Sequence, residues 1–230
     1  MSSSEPRFER EHETEALIRQ LAAGAGAVRV LAAPWRRAAM WGALSIPIAG
    51  AMLAAVAHRD RLFLPDSDPR FLLEEAASLA TAAAAAVAAL ASIVPGYRRA
   101  WMLAPLLPFG VWLAAIGAGC LHAGATSTGI GRDWSCVSAI AATGAAPAAL
   151  MAAMLRRGAP LAPFWSAALG GLASAALGNS VMRLAHPPDA SVLVLVWHVG
   201  AVCLLTATLG GVGRRLLRWP AVHPARPPAG

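Results

Sequence analysis

The sequence has little charge, and its basic residues are all of one kind. Only 13% of its 230 residues are charged, and none is lysine, so all 19 basic residues are arginine. An ordinary soluble domain has about 25% charged and about 45–50% apolar residues, whereas this chain is 57% hydrophobic. Because the apolar residues form long blocks, the composition excludes a soluble enzyme and a disordered chain. The use of Arg in place of Lys, with frequent Ala, suggests a GC-rich bacterial coding sequence.

Motifs that carry catalysis are absent as well. The sequence has no glycine-rich phosphate loop with its Lys, no HExxH metal motif and no convincing Ser/His/Asp set. Three cysteines are too few for a disulfide scaffold. We therefore expect no enzymatic activity and no required cofactor. A pI near 11.1 could indicate nucleic-acid binding, but the arginines flank the apolar blocks, so no direct nucleic-acid partner is expected.

Six apolar blocks are long enough to cross a lipid bilayer, which takes about 20 residues. Backbone polar groups in lipid must be satisfied within the chain, so each block should be a helix. The predicted spans are residues 38–57, 71–94, 100–121, 135–155, 161–184 and 191–212. The sequence thus predicts an all-α membrane protein, with a six-helix transmembrane bundle over residues 38–212.

The arginines also predict the orientation of the bundle. With a cytoplasmic N-terminus, 14 of the 19 arginines fall in segments on the cytoplasmic side, as the positive-inside rule favours. Both termini are therefore expected in the cytoplasm, with the chain multi-pass in the bacterial inner membrane. The tail, residues 213–230, holds four prolines and is expected to be disordered.

The segment before the first span, residues 1–37, is the only substantial part outside the predicted bundle. An acidic run leads into apolar residues at helical spacing, which predicts a short amphipathic helix. Its apolar stripe consists of Leu17, Ile18, Leu21, Ala25 and Val28. Gly24 and Gly26 should weaken this helix in its middle, and Pro34 should end it. A small segment with such a stripe is typical of docking to a partner protein.

Two cysteines are expected at the outer membrane surface. Cys120 ends the third predicted span, Cys136 opens the fourth, and a short loop joins them. Two such thiols could form a disulfide or hold a soft metal ion. His122 and His186 are expected at the same level and are further candidate ligands. Two small apolar residues packed in a bundle would show the same pattern, so both interpretations stay open.

Few polar residues lie inside the predicted spans. Glu74 and Glu75 lie near the start of the second span, where the helix dipole favours carboxylates, so a helix cap is expected. Asn179 and Arg183 fall toward the outer end of the fifth span, and His198 lies in the sixth. A small-molecule or metal transporter would place these three side chains along a path, which is the main alternative function. A redox subunit holding haem through its histidines is a second alternative.

Small residues predict close helix packing in the fifth span. Gly170, Ser174 and Gly178 lie four residues apart on one face, a spacing that lets another helix approach and that permits a homodimer. Cys203, in the middle of the sixth span, is expected to be a core residue.

A series of short motifs follows along nearly the whole chain. The first two are the apolar residues Leu17, Ile18, Leu21 and Ala22, and then Val28, Leu31, Pro34, Arg36 and Arg37. The others are DPRFLLE at 68–74, VPG at 94–96, GC at 119–120, DWSC at 133–136, RRGAP at 156–160, HPPD at 186–189 and WH at 197–198. In this order, the set resembles the negative-regulator-of-sigma-F family, six-span anti-sigma factors of the bacterial inner membrane.

The resemblance implies a function. The protein would hold an extracytoplasmic-function sigma factor at the membrane and release it on metal or oxidative stress. The implied sigma-binding residues are Leu17, Ile18, Leu21 and Val28. The implied sensing residues are Cys120 and Cys136. A metal ion at this pair, with His122 and His186 as further ligands, would be a transient signal and not a required cofactor.

Overall fold

The computed structural model describes residues 5–24, 31–57, 69–123, 134–158, 162–185 and 194–217. The chain divides into two compact units, Met1–Leu31 and Ala32–Gly230. In the described ranges all regular secondary structure is helical. The all-α fold class is therefore confirmed for these residues.

In its described residues, the first unit contains one helix, α1, over Glu5–Ala23. Its last turn closes with a hydrogen bond from Gly24 N to Gln20 O of 3.1 Å. The prediction that Pro34 ends this helix is wrong, because residues 31–33 are not helical and α1 closes at Gly24, a residue type favoured just after a helix end. Pro34 instead begins the next helix, since the first helical position needs no backbone N–H donor.

The second unit contains six α-helices in the described residues. They are α2 Pro34–Ala57, α3 Pro69–Ala91, α4 Leu106–Ala123, α5 Trp134–Arg156, α6 Pro163–Ala185 and α7 Gly200–Leu216. A 3₁₀ turn, Arg99–Leu103, precedes α4, and a π-helical segment, Val194–Val199, leads directly into α7. The helices fall on the apolar blocks of the sequence.

Four segments of the described chain are long and apolar enough to cross a membrane. They are Pro34–Ala55, Pro69–Ala91, Ala100–Gly119 and Val137–Arg156. A fifth, Trp197–Gly213, is apolar but shorter. Helix α6 is not among these segments, and it includes three serines, three glycines, an asparagine and an arginine. The six-span topology and the location of the termini therefore stay predictions.

Helix α6 lies at the centre of the second unit. It packs against α2, α3, α5 and α7, and every residue from 173 to 183 is buried. A helix surrounded by other helices does not need an apolar surface toward lipid. This position explains how α6 accommodates polar side chains.

The small-residue stripe of α6 packs against α5 of the same chain. A Cβ on Gly178 would lie 2.8 Å from the carbonyl oxygen of Ile140, and one on Gly144 would lie 3.0 Å from that of Ser174. Close approach of the two helices thus requires glycine on both sides. The predicted close packing is confirmed, and the partner of the stripe is α5, so this face is not open for a second copy.

Two hydrogen bonds join α2 to α5 in the first turns of α2. Arg37 Nη2 donates to the carbonyl oxygen of Met154, in the last turn of α5, at 2.7 Å, and Trp41 Nε1 donates to that of Pro147 at 3.0 Å. Arg37 is only 6% exposed. A cation at a helix C-terminus satisfies carbonyl groups that lack intrahelical partners. Arg37 is thus part of the bundle's packing.

Candidate functional site

The first candidate site is the apolar patch on α1. Leu17, Ile18 and Leu21 are 56%, 59% and 66% exposed. The patch covers only the last turns of α1, because Arg10 and Glu13, seven and four residues before Leu17, make the earlier turns of the same face polar. The predicted amphipathic helix is therefore amphipathic only toward its C-terminal end. Val28, the fourth predicted sigma-binding residue, lies outside the described residues.

The predicted sensing cysteines lie at the ends of consecutive helices. Cys120 is in the last turn of α4 and Cys136 is in the first turn of α5. His122 is also in the last turn of α4, whereas His186 lies outside the described residues. The side chains of these four residues are not among those that the structure describes. Their joint metal site therefore stays a prediction, and the described residues elsewhere contain no cluster of three metal-ligating side chains.

The third cysteine departs from expectation. Cys203 in α7 is exposed, so the prediction that it belongs to the core is wrong. A small apolar thiol is accommodated equally well on the outer surface of an apolar helix.

A buried ion pair joins α3 to α6. Glu74, 3% exposed, accepts hydrogen bonds from Arg183 Nη2 at 2.9 Å and from Arg70 Nε at 3.1 Å. The Arg183 guanidinium also lies over the ring of Phe71, 5.2 Å from its centroid. Buried charges cost free energy unless they are paired. Glu74 is therefore an ion-pair residue between helices, and the helix cap expected for it is wrong.

A chain of hydrogen bonds continues from α3 through α6 to the π-helical segment. Ser78 Oγ donates to the carbonyl oxygen of Ala176 at 3.2 Å and accepts from Asn179 Nδ2 at 3.2 Å and from Ser180 Oγ at 3.3 Å. The 2.7 Å contact between His198 Nδ1 and Asn179 Oδ1 completes it. The amide oxygen can only accept, so Nδ1 is the donor.

Together these side chains form one polar cluster in the bundle. We call the polar cluster Arg70, Glu74, Glu75, Ser78, Asn179, Ser180, Arg183 and His198. Among the described residues, Glu75 Oε2 and the Arg183 atoms Nε and Nη1 are buried without a hydrogen-bond partner. Native proteins leave few buried polar atoms unsatisfied. The cluster is thus the one place in the described bundle that combines buried charges of both signs.

Sequence reasoning noted several of these side chains but not their association. Ionisable residues within predicted spans are candidates for function, and Asn179 is the only asparagine of the chain. Those two signals could have found the cluster. They could not have shown the pairing, because Glu74 and Arg183 are 109 positions apart.

The long apolar helices of the second unit indicate a membrane-associated protein. A family model, negative regulator of sigma F, matches residues 21–219. The chain belongs to this family, and the resemblance predicted from its motifs is confirmed. The match begins at Leu21, so most of α1 precedes it. No curated protein and no solved structure matches the chain.

Proposed function

We propose that the protein is a membrane-embedded anti-sigma factor that binds an extracytoplasmic-function sigma factor through α1. The family indicates a negative regulator of a sigma factor. The observation that carries the proposal is the patch of three large apolar side chains exposed on the only helix described in the first unit.

Docking would follow the helix-in-groove mode. Leu17, Ile18 and Leu21 would enter an apolar groove on the sigma factor. Burial of one such side chain is worth about 1.5–3 kcal/mol, so three can supply a large part of a specific affinity. Val28 would extend the contact. The proposed arrangement has six spans in the bacterial inner membrane, with α1 on the cytoplasmic side, where a sigma factor is accessible.

Release would respond to metal or oxidative stress at Cys120 and Cys136. Thiolates bind soft metal ions and can be oxidised to a disulfide when the two sulfurs approach. The position of both residues at ends of consecutive helices supports this role. His122 and His186 would complete a transient metal site. The ion would act as the signal.

The experiment is a pull-down of the tagged full chain from membranes of its host, with mass spectrometry of the proteins that follow it. It is repeated after addition of cadmium or chromate. A sigma factor recovered at rest and lost on treatment supports both halves of the proposal. Recovery under both conditions overturns the assigned signal, and absence of any sigma factor at rest overturns the anti-sigma function.

A further inference from the structure

One residue of the polar cluster, Arg70, also contacts helix α4 next to Cys120. A Cβ placed on Gly119 of α4 would overlap the guanidinium of Arg70, so this group lies against the α4 backbone at that residue. Gly119 immediately precedes Cys120. A Cβ on Gly117, two residues earlier, would meet nothing within 4 Å. The contact with Arg70 is therefore local to the end of α4 that bears the cysteine.

From Arg70 the contacts continue without a break into the centre of the bundle. Arg70 Nε binds one oxygen of Glu74 at 3.1 Å, and Arg183 Nη2 binds the other at 2.9 Å. The Arg70 side chain is 35% exposed, whereas those of Glu74 and Arg183 are 4% and 7% exposed. The charged groups thus run from the partly exposed Arg70 to the buried pair of Glu74 and Arg183.

We propose that Arg70, Glu74 and Arg183 hold the Cys120 end of α4 in register with α6 and transmit a change at Cys120 to α6. This inference rests on the proposed function, because it supplies the route by which the sensing residue would act. Movement of the α4 end displaces the Arg70 guanidinium and leaves Glu74 with one partner. A buried carboxylate that loses a partner favours rearrangement of the helices that enclose it.

A shift of α6 would change its contacts with the other helices. This helix packs against α2, α3, α5 and α7, so a shift in it changes most helix contacts of the bundle. The hydrogen bonds from Ser78 through Asn179 to His198 extend the connection to the π-helical segment before α7. Chains of packed side chains and hydrogen bonds that have two arrangements can carry energetic coupling between distant sites.

The first test changes Arg183 of the polar cluster, in α6, and does not involve a sigma factor. The full chain carries Cys136→Ser and Cys203→Ser, so that Cys120 is its only cysteine, and the rate of alkylation of Cys120 by N-ethylmaleimide is measured in membranes. Arg183→Gln removes the charge opposite Glu74 and should change this rate about fivefold or more. Arg183→Lys keeps the charge and should stay within about twofold of the parent.

Two outcomes would overturn the coupling. Equal rates in the parent, Arg183→Gln and Arg183→Lys would show that α6 does not influence the end of α4. Equal changes in both variants would show that charge pairing with Glu74 is not responsible. The amount of each variant in the membrane shows whether it folds.

The second test changes Gly119 or Gly117 in α4, which gives a matched pair of variants. Gly119→Ala displaces the flexible end of Arg70 without removing a charge, whereas Gly117→Ala adds the same methyl group to open space. Both give α4 the same gain in helix propensity. Retention of the sigma factor on tagged protein is measured before and after addition of cadmium chloride.

We expect Gly119→Ala to retain about fivefold less sigma factor at rest than the unaltered chain, because it displaces Arg70 as a change at Cys120 would. Gly117→Ala should retain and release it as the unaltered chain does. Normal retention at rest with Gly119→Ala would overturn the coupling and leave the proposed function standing. If the unaltered chain holds no sigma factor, the proposed function fails, and the alkylation rates alone decide whether α6 is coupled to Cys120.

Discussion

Glu74 and Arg183 form a buried ion pair, with 2.9 Å between Glu74 Oε2 and Arg183 Nη2, although 109 positions separate them in the sequence. The pair connects the first turns of α3 with the last turn of α6. Both residues are at least 94% buried, so neither charge can be satisfied by water. Removal of one partner leaves the other charge buried and uncompensated, which makes the pair a sensitive point of the bundle.

Glu74→Ala should destabilise the bundle strongly. Arg183 and Arg70 would lose their carboxylate, and breaking a buried pair typically costs about 3–5 kcal/mol. Thermal unfolding of the purified protein in detergent measures the change. The matched control is Glu15→Ala, because Glu15 forms an exposed ion pair with Arg19 at 3.7 Å, and exposed pairs contribute little. Equal unfolding temperatures for the two variants would contradict the structural role of Glu74.

Gly178→Ala should loosen the contact between α5 and α6. Its Cβ would lie 2.8 Å from the carbonyl oxygen of Ile140 and 3.0 Å from the amide nitrogen of Gly144. Backbone atoms cannot move aside cheaply, and overpacking typically costs about 1–3 kcal/mol. Gly211→Ala in α7 is the control, since its Cβ meets nothing within 4 Å. The account requires a lower unfolding temperature for Gly178→Ala than for Gly211→Ala.

Adjacent arginines at the start of α2 should differ in effect. Arg37→Ala removes the hydrogen bond to the carbonyl oxygen of Met154, and a hydrogen bond involving a charged group contributes about 1.5–3 kcal/mol. Arg36 is exposed and lies over the ring of Trp35, 5.1 Å from its centroid, so Arg36→Ala should have little effect on unfolding. A larger loss of stability from Arg36→Ala would argue against the buried role of Arg37.

The three cysteines should separate into two classes. Cys120→Ser and Cys136→Ser should leave binding of the sigma factor intact and abolish its release by cadmium, because a hydroxyl is a poor ligand for a soft ion. Cys203→Ser should leave both properties unchanged, since Cys203 lies on the outer surface of α7. Retention of the sigma factor on membranes before and after treatment is the measurement. Release from the double variant Cys120→Ser, Cys136→Ser would remove the cysteines from the mechanism.

The helical architecture could be predicted from the sequence because it depends on local properties. Long apolar blocks indicate helices wherever they occur, and the described helices of the second unit fall on those blocks. The boundary between α1 and α2 was predicted wrongly because Pro34 can either end a helix or begin one. The residues next to Pro34 do not show which of the two occurs.

The polar cluster could not be predicted in the same way. Whether Glu74 caps its own helix or pairs with another depends on which helix packs beside it. That choice is set by the close approach of α6 to its neighbours, which involves residues far apart in the sequence. The docking patch, in contrast, is a local feature, and Leu17, Ile18 and Leu21 are exposed as a docking stripe requires.

The most direct test of the account compares two variants of α1 in the full chain. Leu21→Asp places a charge in the proposed contact, whereas Ala16→Asp adds the same charge about 100° or more around the helix from Leu17, Ile18 and Leu21. Recovery of the sigma factor with tagged protein from resting membranes is measured for both. The account predicts normal recovery with Ala16→Asp and a loss of about tenfold or more with Leu21→Asp, because an unpaired buried charge is costly. Equal recovery with both variants would contradict the claim that this face of α1 holds the sigma factor.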